Sequence, residues 1–254
     1  MPQYESSLIR FSHNLTSQSG DGYSQHCHPV FEIYYFISGD VDYLVEGVYY
    51  HPVPHSLLLL APGTFHGFRC NSLAPYERFT LHFDRRIIPA PAQETLLSPF
   101  FSGGIYVSAA QPYFSYLLGM DACARLPAPA RDECARAHAL ALLGQLRAGL
   151  SAGAPTGESG PAATLTQQVI AYLNVHLGQP HTLESLSRRF FVSRSHLSRA
   201  FLQETGASVA EYIRQKRLTY ALSLIHICPP ADANRVRPVS ARPVSVHVPA
   251  NFHS

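Results

Sequence analysis

Residues 182–217, TLESLSRRFFVSRSHLSRAFLQETGASVAEYIRQKR, carry the local signals that decide the fold of the C-terminal part of the chain. Thr182 and Ser193 each stand where a helix N-cap is expected, and Gly206 stands where a helix would end. Apolar residues recur at helical spacing behind each cap. The pattern predicts two short helices joined by a tight turn, which is a helix-turn-helix.

Further helices are predicted on both sides of this unit. Thr164 with Gln167 fits a capping box for a preceding helix, and Ser208 with Glu211 fits one for a following helix. We therefore assign residues 164–225 to an all-α domain.

The second helix of the unit has a polar side, opposite to Leu197 and Phe201. Arg199 is a candidate for a paired hydrogen bond with guanine, and Ser195 and Ser198 are short hydrogen-bonding groups beside it. Three arginines suit contacts with phosphates, which fix the register on DNA: Arg188, Arg189 and Arg194. The alternative is a small helical bundle with a solvated basic face.

The same segment resembles the AraC/XylS family of regulators. The resemblance is carried by Leu183-x-x-Leu186-Ser187, by Phe191-Val192-Ser193-x-x-His196-Leu197-Ser198-Arg199-x-Phe201, and by Gly206-x-Ser208-x-x-x-Tyr212-Ile213-x-x-x-Arg217-x-x-x-Ala221. It implies a transcriptional regulator rather than an enzyme, with Ser195, Ser198 and Arg199 reaching the base edges of double-stranded DNA. It also implies two helix-turn-helix units, of which only the first is recognised here, and commonly an effector-binding barrel in front.

The first 85 or so residues have a different pattern, in which short apolar and aromatic runs alternate with turn signals. The runs are Phe31–Ser38, Val41–Val45, Tyr49–His51, Leu57–Leu60, Phe65–Cys70 and Arg78–Phe83. They predict an antiparallel β-barrel within residues 1–110. The predicted fold class is thus α+β: a cupin-like barrel with a helical hairpin, followed by a small helix-turn-helix domain.

Residues 111–126 and 132–150 predict the two helices of the hairpin. The second carries leucines at helical spacing, at positions 140, 143, 146 and 150. This stripe is either core or a dimer contact, and we assign residues 111–150 to dimerisation and expect a homodimer. Residues 151–163 are rich in Gly, Pro, Ser and Ala and predict a linker.

Charge divides at the same place. Residues 1–163 hold nine Lys and Arg against thirteen Asp and Glu, whereas residues 164–220 hold seven against three. A basic C-terminal part suits a polyanionic partner. The chain shows neither an apolar run long enough to cross a membrane nor a signal peptide, so we expect a cytoplasmic protein without a membrane partner. Its five cysteines are scattered without a CxxC pair, which predicts reduced thiols.

A motif in the front part suggests a ligand site. Residues 20–39 read G-x5-H-x-H-x3-E-x6-G, with His26, His28 and Glu32, and resemble the first motif of the cupin barrels. Pro62-Gly63-x-x-His66 resembles part of the second motif, although its proline is one place late. In metal-dependent cupins the residues matching these three histidines and Glu32 bind a divalent ion.

Two interpretations of these residues remain open. Three imidazoles and one carboxylate suit a divalent first-row cation. The alternative, which we favour, is a pocket without a cofactor, in which His26, His28, Glu32, Tyr34 and His66 contact a small-molecule effector, either sugar-like or a small organic acid. Most of the neighbouring aromatic residues are expected to be barrel core.

The end of the chain departs from the family pattern. Residues 226–254 contain five prolines and predict a disordered tail, and the run at residues 222–227 resembles a translated sequencing adapter, which would make the tail an artefact. The favoured function is an effector-responsive, sequence-specific DNA-binding regulator. Two alternatives are a metal-dependent cupin dioxygenase or isomerase with an inert helical extension, and a fragment that folds only through its barrel.

Overall fold

The computed structural model of the chain describes residues 4–16, 26–101, 106–107, 112–151 and 164–227. The strands within these ranges are β1 (Tyr4–Glu5), β2 (Ile9–Thr16), β3 (Phe31–Ser38), β4 (Val41–Val45), β5 (Val48–Tyr50), β6 (Leu57–Leu60), β7 (His66–Cys70), β8 (Tyr76–Phe83) and β9 (Tyr106–Val107). The α-helices are α1 (Gln93–Leu97), α2 (Tyr113–Cys123), α3 (Ala130–Ser151), α4 (Leu165–Val175), α5 (Leu183–Arg189), α6 (Arg194–Thr205) and α7 (Val209–Ile227). The predicted linker from residue 152 and the predicted tail from residue 228 lie outside these ranges.

The strands form two antiparallel sheets. One has six strands in the order β1-β2-β8-β3-β6-β9, and the other has three in the order β5-β4-β7. An isolated bridge between His26 and His66 adds residue 26 to the smaller sheet's edge. Strands followed by helices confirm the α+β class. The described strands form two sheets that face each other rather than one closed barrel.

The larger sheet is covered on both faces at its centre, and successive side chains of each strand point to alternate faces. One face, which includes Phe11, Ile33 and Leu81, packs against α2 and α3. The other face, which includes Tyr34 and Leu58, packs against the smaller sheet. As a result, every side chain from residue 31 to residue 36 is buried.

The helical hairpin α2–α3 uses its leucine stripe within this chain. Leu143 and Leu146 are fully buried against the large sheet and Leu140 packs partly against it, which favours the core interpretation of the stripe. The structure also joins Cys123 of α2 to Cys134 of α3 in a disulfide, with Cα atoms 6.0 Å apart. For these two cysteines the expectation of reduced thiols was wrong, because the hairpin brings residues from two helices side by side.

The C-terminal helices begin at their predicted caps, and α6 also ends where predicted, whereas α4 ends at Val175, before the predicted Gly178. Thr164 and Gln167 form the predicted capping box, the Thr182 side chain accepts from a backbone N–H of α5, and Ser193 does so for α6. Gly206 ends α6 in the left-handed conformation, with φ of 69°. Their apolar sides share one cluster: Val169, Ile170, Leu173, Leu186, Leu197, Phe201, Val209, Tyr212 and Ile213. Within the described ranges, none of the helices has the length and apolarity required to cross a membrane.

Candidate effector pocket and nucleic-acid interface

Four histidines and a glutamate meet where residues 26–28 approach β3, β7 and β8. The strand register pairs His82 with Glu32, and the isolated bridge pairs His26 with His66. The Oε2 atom of Glu32 lies 2.8 Å from Nε2 of His28, 3.0 Å from Nε2 of His66 and 3.5 Å from Nε2 of His82. Three imidazoles therefore converge on one buried carboxylate oxygen.

The backbone determines which ring nitrogens of His28 and His66 carry a proton. Nδ1 of His28 lies 3.0 Å from the carbonyl oxygen of Val30, and Nδ1 of His66 lies 2.8 Å from that of Thr64. Because a carbonyl oxygen only accepts, each Nδ1 must donate, and a neutral ring then turns the lone pair of Nε2 toward Glu32. Two acceptors that face each other at this distance need a proton or a cation between them.

The electrostatics of the cluster agree with this requirement. Burial alone would raise the pKa of Glu32, but the three imidazoles of His28, His66 and His82 around the carboxylate outweigh burial and hold that pKa well below its usual value. Burial alone would lower the pKa of His66, but the nearby carboxylate of Glu32 raises it. The carboxylate is therefore ionised and attracts positive charge into the cluster.

The donor set fits a divalent metal ion. The donor atoms of His26, His28 and His66 lie within 4.8 Å of one another, and so do those of His28, Glu32 and His82. Nε2 of His66 and Nδ1 of His82 are buried without a well-oriented hydrogen bond to any described residue. The bonds from Nδ1 to backbone carbonyls are also the outer contacts that orient metal-bound imidazoles.

The structure thus brings His26 together with His28 and His66, brings Glu32 together with His28 and His66, and adds His82 beside Glu32. No local motif marks His82. Its one signal is its position opposite Glu32 on the neighbouring strand, which becomes visible only once β8 is paired with β3.

A cavity of about 610 Å³ opens beside the cluster. His26, His28 and His82 line one part of it, and β2 lines another part with Arg10, Ser12 and Asn14. A cavity of this volume accommodates a small organic molecule. Neither Glu32 nor His66 lines the cavity. Both are buried behind His28, which does line it and which lies 2.8 Å from Glu32.

Tyr34, which the sequence predicted in the pocket, lies elsewhere. Its side chain is fully buried between the two sheets, where its hydroxyl is hydrogen-bonded to that of Tyr76 and its ring packs against Tyr43. Burial raises the pKa of the Tyr34 hydroxyl well above its usual value. In this structure Tyr34 belongs to the core because its strand position faces the smaller sheet.

The outward side of α6 carries the side chains predicted to contact DNA. Arg194, Ser195, Ser198 and Arg199 are all exposed, whereas the opposite side of the helix is buried in the helical core. Within the described part of the chain, neither Arg194 nor Arg199 has an ion pair or a hydrogen-bonding partner for its side chain. Both guanidinium groups are therefore available to an external partner.

Arg188 and Arg189 differ because both have partners within the chain. Nη2 of Arg188 lies 2.5 Å from Oε1 of Glu184, one turn earlier on α5. The guanidinium of Arg189 lies 4.0 Å from the centre of the Tyr172 ring. Both side chains are at the surface, so a phosphate would compete with an existing but weak intramolecular contact.

Residues of the strand region also contact the helical region. Phe65 is buried within the core of the C-terminal helices, with its ring centre 4.7 Å from that of Tyr212. The carboxylate of Glu46 accepts from the backbone N–H of Phe65 at 2.8 Å, from Nζ of Lys216 at 2.6 Å and from the hydroxyl of Tyr212. Sequence reasoning missed this contact because its partners are more than 140 residues apart.

Two smaller contacts join the same surfaces. Nε2 of Gln167 donates to the carbonyl of Gly47 at 2.9 Å. Sγ of Cys27, the residue between His26 and His28, lies 3.5 Å from Oγ1 of Thr219 on α7. The histidine cluster and the C-terminal helices are therefore connected through two chain segments, residues 26–28 and residues 65–66.

Comparisons with known proteins find a family model and curated relatives that match parts of the chain. A family model described as an AraC-like ligand binding domain matches residues 15–166. The multiple antibiotic resistance protein MarA of Salmonella typhimurium is 35% identical over 57 residues, which are 22% of this chain and 45% of that protein. The chain thus spans about half the length of the curated relatives it matches.

Solved structures resemble the chain over a longer stretch at low identity. An apo variant of ToxT from Vibrio cholerae aligns with a TM-score of 0.45 and 10% identity, over 87% of this chain and 83% of that one. The AraC-like transcriptional activator CuxR aligns with a TM-score of 0.38 and 16% identity, over 84% and 76% of the two chains.

Proposed function

The chain belongs to the family of proteins with an AraC-like ligand-binding domain, and from this membership we propose that it is a sequence-specific DNA-binding transcriptional regulator controlled by a small-molecule effector. The outward side of α6 carries this proposal. Arg194 and Arg199, whose guanidinium groups have no partner among the described residues, flank Ser195 and Ser198 on the second helix of a helix-turn-helix. The second helix of this motif is the one that enters the major groove.

The side chains on α6 divide by what they contact. Arg199 forms two hydrogen bonds with a guanine, and Ser195 and Ser198 contact neighbouring base edges. Arg194, in the first turn of α6, binds phosphate. Arg188 and Arg189 add phosphate contacts when they leave their intramolecular partners, Glu184 and Tyr172. Arg199 therefore contributes to specificity, whereas the other arginines contribute mainly to affinity.

The effector occupies the cavity beside the histidine cluster and is a small organic acid or a sugar-like molecule. Arg10 offers a guanidinium that has no ion-pair partner among the described residues and suits a carboxylate. Ser12, Asn14 and the imidazoles of His26 and His28 offer hydrogen bonds to hydroxyl groups. The family match to a ligand-binding domain supports this role.

Phe65 and His66 transmit the presence of the effector to α6. An effector that contacts His28 or displaces Glu32 from His66 favours one position of the start of β7, and Phe65 moves with its neighbour. Because Phe65 packs in the same cluster as Leu197 and Phe201 of α6, the two positions of β7 favour two arrangements of the helices. The effector thus shifts an equilibrium by binding one arrangement more tightly.

The regulator works as a homodimer in the cytoplasm. One helix-turn-helix covers one half-site, and a dimer places two of them about 34–36 Å apart, one helical turn of DNA. Leu118 on α2 and Leu126, three residues after its end, have exposed apolar side chains that suit a contact between two subunits. Sedimentation equilibrium of the protein, alone and with DNA that carries two half-sites, tests for the dimer. A protein that stays monomeric under both conditions would contradict it.

Selection of bound sequences from random DNA, with and without candidate organic acids and sugars, tests the proposal. We expect an enriched site with two half-sites, and an enrichment that changes when the effector is present. An Arg199→Ala variant, carried through in parallel, should lose the preference at one base of each half-site. Recovery of DNA without any shared sequence would contradict the proposal.

A metal-dependent site is the second candidate, favoured by the convergence of Nε2 of His28 and of His66 on Glu32. His26, His28, Glu32 and His66 would hold a divalent first-row ion, and the ion would supply a Lewis acid for binding or polarising an oxygen ligand. Metal analysis of the purified protein separates the candidates. Stoichiometric iron or manganese with turnover would favour a dioxygenase or isomerase, whereas a protein without turnover would favour the sensor.

A further inference from the structure

A second group of metal-ligating side chains lies on the helical hairpin. Cys123 is in the last turn of α2, and Cys134 and His138 are four residues apart on α3, so the latter two share one side of their helix. One donor atom from each of the three residues lies within 4.8 Å of the others. Cys123 is buried, and Cys134 and His138 are half-buried.

Gly119 leaves the space that the imidazole of His138 occupies. It lies on α2 one turn before Cys123, and a Cβ atom there would be 2.2 Å from Cε1 and 2.6 Å from Nδ1 of His138. Glycine is disfavoured in a helix interior, yet here any side chain would expel the imidazole. The ring of His138 thus lies directly against the α2 backbone, and it has no hydrogen-bond partner in the described part of the chain.

Two cysteine sulfurs and an imidazole are a donor set for thiophilic metal ions. Zn²⁺ binds such groups with Zn–S distances of about 2.3 Å and Zn–N distances of about 2.0 Å, and three protein ligands leave a fourth position for water. In the structure the two cysteines are joined as a disulfide, which cannot supply thiolates. The group therefore has two forms, of which only the reduced one offers three ligands.

We propose that the α2–α3 hairpin carries a reduction-dependent site for a thiophilic metal ion of the Zn²⁺ class, formed by Cys123, Cys134 and His138. A dithiol reductant transfers two electrons and two protons, so that the protein disulfide becomes two thiols and the reductant becomes a disulfide. On binding, the metal ion replaces the two thiol protons, which go to solvent. The ion then links α2 and α3 in place of the disulfide. This site is independent of the histidine cluster and of the proposed DNA contacts.

Titration with Co²⁺ tests the proposal because thiolate ligands give Co²⁺ a near-ultraviolet charge-transfer band. The titration uses full-length protein in which the other three cysteines, Cys27, Cys70 and Cys228, are replaced by serine. After reduction with a phosphine, we expect one Co²⁺ per chain with this band, and displacement of the Co²⁺ by Zn²⁺. The oxidised protein should lack the band, and the histidine cluster cannot produce it because it contains no thiolate.

Matched variants test two of the three ligands, Cys134 and His138. Cys134→Ser should abolish the band, and His138→Ala should weaken Co²⁺ binding at least tenfold, whereas His51→Ala, at an exposed histidine elsewhere, should change neither. Circular dichroism checks that each variant is folded, and Cys134→Ala repeats the test with a second side chain. Absence of the band from the reduced protein, or an unchanged affinity in His138→Ala, would overturn the proposal.

Discussion

Phe65 and His66 are neighbours in the chain, yet their side chains belong to different parts of the protein. The ring of Phe65 packs against Tyr212 within the C-terminal helices, whereas Nε2 of His66 lies 3.0 Å from Glu32 in the histidine cluster. Successive side chains of an extended segment point in opposite directions, which explains the division. Residues 65–66 therefore connect the histidine cluster with the core of the C-terminal helices.

Phe65→Ala should destabilise the C-terminal helices. The substitution leaves a cavity in their core, for which we expect a loss of about 3–5 kcal/mol. Hydrogen exchange should show reduced protection in α4, α6 and α7. Leu15→Ala is the control because Leu15 is 65% exposed on β2. Unchanged protection in α6 of the Phe65 variant would contradict the coupling described above.

The largely buried ion pair of Glu46 and Lys216 should contribute to holding the strand and helical regions together. Their side chains are 14% and 13% exposed, so removing either partner leaves a largely buried charge and costs about 3 kcal/mol. Glu46→Gln combined with Lys216→Met should cost less than the sum of the single changes, measured by denaturant unfolding. Arg69→Ala, at an exposed pair with Asp42, is the control, with less than about 1 kcal/mol expected. Additive effects of the two changes would argue against a direct interaction.

Arg199→Ala should weaken DNA binding and relax its specificity. We expect a loss of about 1–3 kcal/mol on the selected site, because a paired hydrogen bond with guanine is removed. Arg188→Ala should cause a smaller loss, similar on all sequences. Fluorescence anisotropy at several salt concentrations measures both. If Arg199→Ala weakened binding to every sequence equally, Arg199 would be a phosphate contact instead.

Removal and return of a divalent ion should change the stability of the strand region if the second candidate function holds. After treatment with a chelator, Mn²⁺ at about one hundred times its Kd should stabilise the protein by about 2.7 kcal/mol. Mn²⁺ suits the nitrogen and oxygen ligands of the histidine cluster better than it suits thiolates. His28→Ala should remove the shift in melting temperature, and His51→Ala should retain it. An equal shift in both variants would place the ion elsewhere.

Two glycines of the helical hairpin should respond in opposite ways to alanine. Gly144→Ala should stabilise α3 by about 0.5–1 kcal/mol, because the new Cβ meets no atom within 4 Å and alanine favours helix. Gly119→Ala should instead destabilise the hairpin, since its Cβ would overlap the ring of His138. Thermal unfolding of both variants measures the difference, and a stabilised Gly119→Ala would show that His138 can leave without cost.

The parts of the fold that depend on local interactions were predictable from the sequence. The helix caps at Thr164, Thr182 and Ser193 use hydrogen bonds within three residues, and all three are present. Strands β3, β4 and β6 have their predicted bounds because turn residues flank them. Strand β2 is not among the predicted strands, although its apolar residues Ile9 and Phe11 alternate with polar ones, which is a pattern typical of a strand.

The parts that depend on long-range pairing were not predictable in the same way. His82 joins the cluster through its register with Glu32, and Arg189 is engaged because Tyr172 comes from another helix. Tyr34 was assigned to the pocket from its residue type, whereas its strand position places it in the core. The disulfide of Cys123 and Cys134 likewise follows from the packing of α2 on α3.

The position of Phe65 has a consequence for how such a chain can be divided or recombined. The covalent boundary between sensor and helices falls near residue 164, yet the hydrophobic interior of the helices is completed by an aromatic ring donated from about one hundred residues earlier. A helical segment that is expressed alone, or fused to an unrelated sensor, would lack this ring and would have a cavity in its hydrophobic core. Chimaeras should therefore work best when the donor supplies both the ring and the surface that receives it.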